Sequence, residues 1–171
     1  VYTLPSLVDG LSVSTSYRPS VEAVNEAELG YSITYTGVEG LSASYASADI
    51  DRAGTATDGD QTVWKASYAY GPVTVAASNS DYDVTGTASD QEVSSMKISY
   101  TVTDSISIGY GTETISLSGE AIDAEYSGFN ASYTTGGMTI SAAMQDGDNV
   151  DHSADAADQY EYWSLGLSFA F

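Results

Sequence analysis

Apolar residues recur at every second position, in stretches of about ten residues separated by turns, along the whole chain. No window carries the three-to-four spacing of a helix. "LSVSTSY" sets Leu11, Val13, Thr15 and Tyr17 on one side and Ser12, Ser14 and Ser16 on the other, and "LGYSITY" sets Leu29, Tyr31, Ile33 and Tyr35 against Gly30, Ser32 and Thr34. Further on, Trp64, Ala66, Tyr68 and Tyr70 oppose Lys65, Ser67 and Ala69. Met96, Ile98, Tyr100 and Val102 oppose Lys97, Ser99 and Thr101, and Phe129, Ala131 and Tyr133 lead through "TTGG" into Met138, Ile140, Ala142 and Met144. Successive side chains of a strand point to opposite faces, so each stretch predicts a strand with one apolar face and one small, polar face. With residues 1–4 as a short lead-in, about eleven strands are predicted, in an all-β, antiparallel fold forming one domain over 1–171. One stretch slips. Within "IDAEYSGFNASY" the apolar parity changes between Tyr126 and Phe129, and a bulge near residues 127–128 is predicted to restore it.

The connections alternate in kind. "PSLVDG", "TGVEG", "GP", "TD" and "GG" are short, whereas "PSVEAVNE", "DIDRAGTATDGD", "DYDVTGTASDQE" and "DGDNVDHSADAADQ" are long and acidic. Short turns at one rim and long loops at the other, joined by alternating strands, are the pattern of a transmembrane β-barrel of the outer membrane. The polar face is Ser, Thr, Gly and Ala with few charges, unlike the Lys- and Glu-rich solvent face of a soluble sheet. Tyr17, Tyr35, Tyr45, Tyr70, Tyr100, Tyr133 and Trp163 fall near the ends of apolar runs, where an aromatic girdle is expected. The competing reading is a soluble, acidic, calcium-stabilised β-sandwich of the cell surface, such as an adhesin module, which would alternate too.

Charge and composition narrow the function. Four Lys+Arg against 24 Asp+Glu give a net charge of -20, which argues against nucleic acid as a partner. There is no cysteine, so disulfides and thiolate metal sites are unavailable. No run approaches the roughly 20 apolar residues of a spanning helix. His152 is the only histidine and sits among loop acids, so no nucleophile–base pair can be assembled around it; neither an enzymatic reaction nor a cofactor is expected. Strand parity puts Arg18, Lys65 and Lys97 on the polar face, as pore-lining cations, with Arg52 in a long loop. Asp49, Asp51, Asp58 and Asp60, and Asp146, Asp148 and Asp151, offer oxygen ligands suited to Ca²⁺, although neither stretch has the spacing of a twelve-residue calcium loop. The acid at the loop rim predicts a weak cation preference.

The last nine residues, "WSLGLSFAF", place Trp163, Leu165, Leu167, Phe169 and Phe171 on one face and Ser164, Gly166, Ser168 and Ala170 on the other. This closing strand, with "VYTLPSLVDGLSVSTSY", "YSITYTGVEGLSASYAS" and "FNASYTTGGMTISAAM", resembles the alphaproteobacterial, Rhodobacter-type general porins of the outer membrane. The resemblance implies a barrel of sixteen strands of which this chain supplies the sixth to the last, without the inward-folded constriction loop. It also implies passive diffusion of small hydrophilic solutes and ions, and a homotrimer in contact with outer-membrane lipid and lipopolysaccharide. By the same resemblance, the five outward residues from Trp163 to Phe171 form the signal read by the barrel assembly machinery, and Arg18, Lys65 and Lys97 belong to a basic wall facing the acidic loop. Topology points the same way. The first and eleventh strands run in the same direction, so joining them would make a parallel seam, and the chain is expected to be part of a longer polypeptide.

Overall fold

A computed structural model describes residues 1–5, 8–20, 27–51, 58–86, 90–153 and 159–170; Arg52 and Phe171 lie outside the described residues. The strands are β1 (Tyr2–Thr3), β2 (Leu11–Arg18), β3 (Glu28–Tyr35), β4 (Leu41–Ile50), β5 (Gly59–Tyr70), β6 (Val73–Val84), β7 (Gln91–Thr103), β8 (Ile106–Leu117), β9 (Ala124–Thr135), β10 (Met138–Asp148) and β11 (Tyr160–Phe169). They form one antiparallel sheet in which each strand is hydrogen-bonded to its neighbours in sequence, in the order β1 to β11. The predicted eleven strands and all-β class are therefore present among the described residues, with β1 first and β11 last in the strand order. Two compact units are distinguished: Val1–Tyr68 with Ser78–Val93 and Leu117–Gly119, and Ala69–Ala77 with Ser94–Ser116 and Glu120–Phe171.

The tight turns follow from glycine. Thr135 and Met138 are paired across Gly136 and Gly137, whose φ angles of 53° and 81° are both in the left-handed region that a two-residue hairpin of the I′ type requires. A side chain at either position would strain the turn.

In the first unit, Val13, Ile33, Tyr45 and Trp64 lie directly opposite one another across β2, β3, β4 and β5. In the second, Tyr110, Phe129, Met144 and Trp163 form the equivalent row across β8, β9, β10 and β11. Apolar residues continue from these rows toward the short turns, as in Met144, Ala142, Ile140 and Met138 of β10. That run covers about 20 Å at 3.4 Å per residue.

The bulge expected near residues 127–128 is absent. Pairing of β9 with β10 runs unbroken from Thr135↔Met138 to Glu125↔Asp148, and pairing with β8 is continuous from Tyr133↔Ile106 to Ala124↔Ile115. The parity slip is instead the boundary of the apolar band. Past Phe129 the same face carries Ser127 and Glu125, while Tyr126 and Gly128 belong to the polar face, so no correction of register is needed.

Among the described residues the buried apolar core is Ala124 alone, 1% exposed. The large apolar side chains lie on an open face; Trp163 is 74% and Leu165 71% exposed. At about 25 cal/mol per Å² of apolar surface, a sheet with this face in water would forgo most of the stabilisation that holds a soluble domain together. The face matches a surrounding apolar medium.

Candidate functional site

Opposite the apolar band lies a wall of small polar side chains, positioned by strand parity. In the first unit it is built of rows across β2 to β5. One reads Ser12, Thr34, Ser44 and Lys65, and the next toward the loops reads Ser14, Ser32, Ala46 and Val63. The hydroxyls satisfy one another or nearby carbonyls: Thr3 and Ser14 are 3.0 Å apart on β1 and β2. The small size of Ser14, Ser16, Gly30, Ala46 and Ala48 leaves a shallow depression of about 290 Å³.

Arg18 ends β2 on this wall, opposite Glu28, and pairs with it through a charged hydrogen bond. Its charge is therefore locally offset. Lys65 lies in mid-strand across from Ser44, exposed. Lys97, on β7 in the second unit, is also exposed, and its side chain passes beside Gly111, with Cβ and Cγ 3.8 Å from where a Gly111 Cβ would be. All three cations are thus on the polar face, Arg18 at its loop end and the lysines within it.

The wall of the second unit is also hydroxyl-rich. Ser107 and Ser132, directly opposite on β8 and β9, are 2.7 Å apart, and Thr134 and Thr139 are 2.9 Å apart on β9 and β10. Nearer the loops the composition changes to Glu113, Tyr126, Gln145, Tyr160 and Tyr162. Glu113 accepts a hydrogen bond of 2.8 Å from Ser95 Oγ. The ring centroids of Tyr126 and Tyr160 are 6.2 Å apart. Tyr126 escapes a sequence search because the apolar parity of β9 changes between it and Phe129, and the unbroken register of β9 with β8 and β10 assigns its face.

Of the aromatics predicted for the girdle, Tyr45 and Trp163 close the apolar band on the loop side. Tyr35, Tyr70, Tyr100 and Tyr133 lie toward the short turns, and Tyr17 is near the loop end of β2. The loop-side row also contains Trp64, Tyr110 and Phe129, which the sequence pattern did not single out. Trp64 is paired with Tyr45, whose ring is 6.3 Å from that of Tyr31. On β11, Trp163, Leu165, Leu167 and Phe169 share the apolar face.

Beyond the band, the outward face becomes acidic. Asp49 is directly opposite Asp60 in the first unit, and Asp146 opposite Glu161 in the second, with Asp148 opposite Glu125. Asp60 is pushed above the usual carboxylate range, first by its hydrogen bond with the Asp49 carboxyl and then by burial and the negative charges of Asp49, Asp83 and Asp51. Asp51 and Asp58 flank the strands at this rim, and Asp151 lies in the turn after β10. Among the described residues no three acidic or histidine side chains converge as a metal site. Asp90 accepts hydrogen bonds from the Val84 N–H at 2.9 Å and Ser118 Oγ at 3.0 Å, and these hold its carboxyl below the usual range. His152 is tied to the chain by its Nδ1, 3.1 Å from the Ile122 carbonyl oxygen.

No family model matches this chain, and no curated protein matches it in sequence. Its fold, however, is that of porins. Among solved structures it is similar to a porin refined at 1.8 Å resolution, with a TM-score of 0.75 and 21% identity over 99% of this chain and 60% of that one. It is also similar to an anion-selective porin from Comamonas acidovorans, with a TM-score of 0.71 and 15% identity over 86% of this chain and 47% of that one. The chain therefore spans less than two thirds of the length of either.

Proposed function

We propose that this chain forms part of the wall of a water-filled porin in the outer membrane of a Gram-negative bacterium, through which small hydrophilic solutes and ions diffuse passively. The observation that carries this reading is the division of one sheet into two faces. One is apolar and exposed, about 20 Å tall on β10, and on β9 to β11 ends at Ser127, Asp146 and Glu161; the other is lined by hydroxyls and a few charges. A wall of this kind lets solutes pass by size and bends their selection by charge. No reaction or cofactor is involved.

The proposal extends to partners. The apolar face meets outer-membrane lipid and, over part of its extent, neighbouring copies in a homotrimer, and the outward side chains of β11, with Phe171, serve recognition by the assembly machinery. The outward carboxylates beyond the band lie at headgroup depth, where Ca²⁺ would link them to lipopolysaccharide phosphates; charges of this sign also enrich cations at the mouth. The preference proposed is weakly cationic.

The test is reconstitution of the full-length protein, purified in detergent, into liposomes and planar bilayers. Size-limited uptake of uncharged solutes together with an ion conductance that rises in proportion to salt supports the channel. Tight liposomes and a protein that stays monodisperse without detergent overturn it in favour of a soluble module.

A further inference from the structure

Resting on the channel reading, the geometry points to a saccharide-binding subsite on the polar wall of the second unit, in a depression of about 550 Å³. This volume lies in the range of small-ligand sites, roughly 300–1,000 Å³. Two glycines make the floor. Gly111 stands directly across from Gly128, and β-carbons there would sit 3.8 Å from the Lys97 Cβ and 3.4 Å from the Gln145 Cγ, so those two side chains border the gap on either side. On the loop side, Glu113 is paired with Tyr126, and Tyr126 with Gly147. The Tyr160 ring covers Gly147, held against its backbone, and is inclined 53° to the Tyr126 ring.

The chemistry of this border selects the ligand class. A pyranose presents a flat C–H face and a rim of hydroxyls that both donate and accept. The two phenol rings supply an apolar surface fixed at an angle. Glu113, already oriented by Ser95, accepts from hydroxyls, the Gln145 amide both donates and accepts, and Lys97 donates. One cation and one carboxylate offset each other, so the depression does not favour an ion by net charge. The hydroxyl rows nearer the short turns, such as Ser107 with Ser132 and Thr134 with Thr139, offer hydrogen bonds but no ring to stack on.

The test uses the full-length protein in detergent, titrated with maltose and, separately, with glycine as a zwitterion of no ring face, and followed by saturation-transfer NMR and tyrosine fluorescence. Saturable maltose binding is expected, weakened at least tenfold both by Gly128→Leu, which fills the floor, and by Tyr160→Ala, which removes the platform. Far-ultraviolet circular dichroism verifies the sheet in each variant, and Gln145→Leu provides a third probe with no change at the backbone. Absence of saturable maltose binding to the wild-type protein, preferential binding of glycine, or unchanged maltose binding in every folded variant overturns the subsite. Conductance of the wild-type protein in planar bilayers is recorded in parallel. A conducting channel without saccharide binding refutes this inference alone, whereas a non-conducting protein refutes the channel itself.

Discussion

Asp49 and Asp60 face each other across β4 and β5, four residues beyond the Tyr45–Trp64 pair that ends the apolar band on these strands. Like charges directly opposite in a sheet are destabilising, and the hydrogen bond and negative charge of Asp49 beside Asp60 hold the Asp60 carboxyl above the usual range. The pair lies beyond the apolar band, at the loop end of β4 and β5. Because its folded pKa is above the unfolded one, Asp60 contributes stability that is complete below the unfolded value and is lost as pH rises through the folded value. Thermal unfolding in detergent is therefore expected to show Asp60→Asn more stable than wild type at pH 7, with the gap closing on acidification. A gap that does not depend on pH would contradict the pairing.

Asp90 has the opposite sign. Its carboxylate accepts from Val84 and Ser118 and titrates low, so its contribution is present above the ordinary aspartate range and is lost as pH falls through the folded value. Asp90→Ala is expected to lower the unfolding temperature at neutral pH and to match wild type in strong acid. A pH series of melts on the two proteins checks this.

Leu165 is opposite Ala142 in the middle of the apolar band, and Glu161 is opposite Asp146 beyond it. Arginine at a lipid-facing midplane position costs about 2–4 kcal/mol and near the interface about 0–1 kcal/mol. Leu165→Arg should lose that larger amount in reversible unfolding from liposomes, and Glu161→Arg little. Equal losses would mean that the face does not meet lipid.

Lys65 and Lys97 stand exposed on the polar wall, whereas Arg18 is paired with Glu28. A unit charge acts on an ion about 8 Å away in water with about 0.5 kcal/mol, a factor of about two. Because the charge repels cations as much as it attracts anions, replacing either lysine by Ala is expected to raise the cation-to-anion permeability ratio by about the square of that factor, roughly fourfold, read from reversal potentials in a salt gradient. Arg18→Ala removes a charge that Glu28 already offsets and leaves Glu28 uncompensated at the loop end. Triple neutralisation without any change in selectivity would remove these residues from the ion path.

Gly136 and Gly137 take the left-handed conformation between β9 and β10. Each costs about 1–2 kcal/mol when an L side chain is imposed there. Gly136→Val should lose that much in unfolding. Ala143→Ser, on the polar wall of the same hairpin, should stay within about 0.5 kcal/mol.

Sequence alone determined the strands, their number, their two faces and the side of each connection, because side-chain alternation is a local property of an extended backbone and the apolar face has a single surrounding medium to match. It also placed Arg18, Lys65 and Lys97 on the polar face by counting from apolar neighbours. Tertiary structure decided what depends on register between strands. It showed that Tyr126 is inward with no bulge, because β9 keeps one register with both β8 and β10. It showed that Asp49 meets Asp60 and that Gly111 meets Gly128. None of these pairs is near in sequence, and in a strand a shift of one residue exchanges the faces, so which side chains share a site is fixed by hydrogen-bonded pairing between strands and not by the pattern within any one of them.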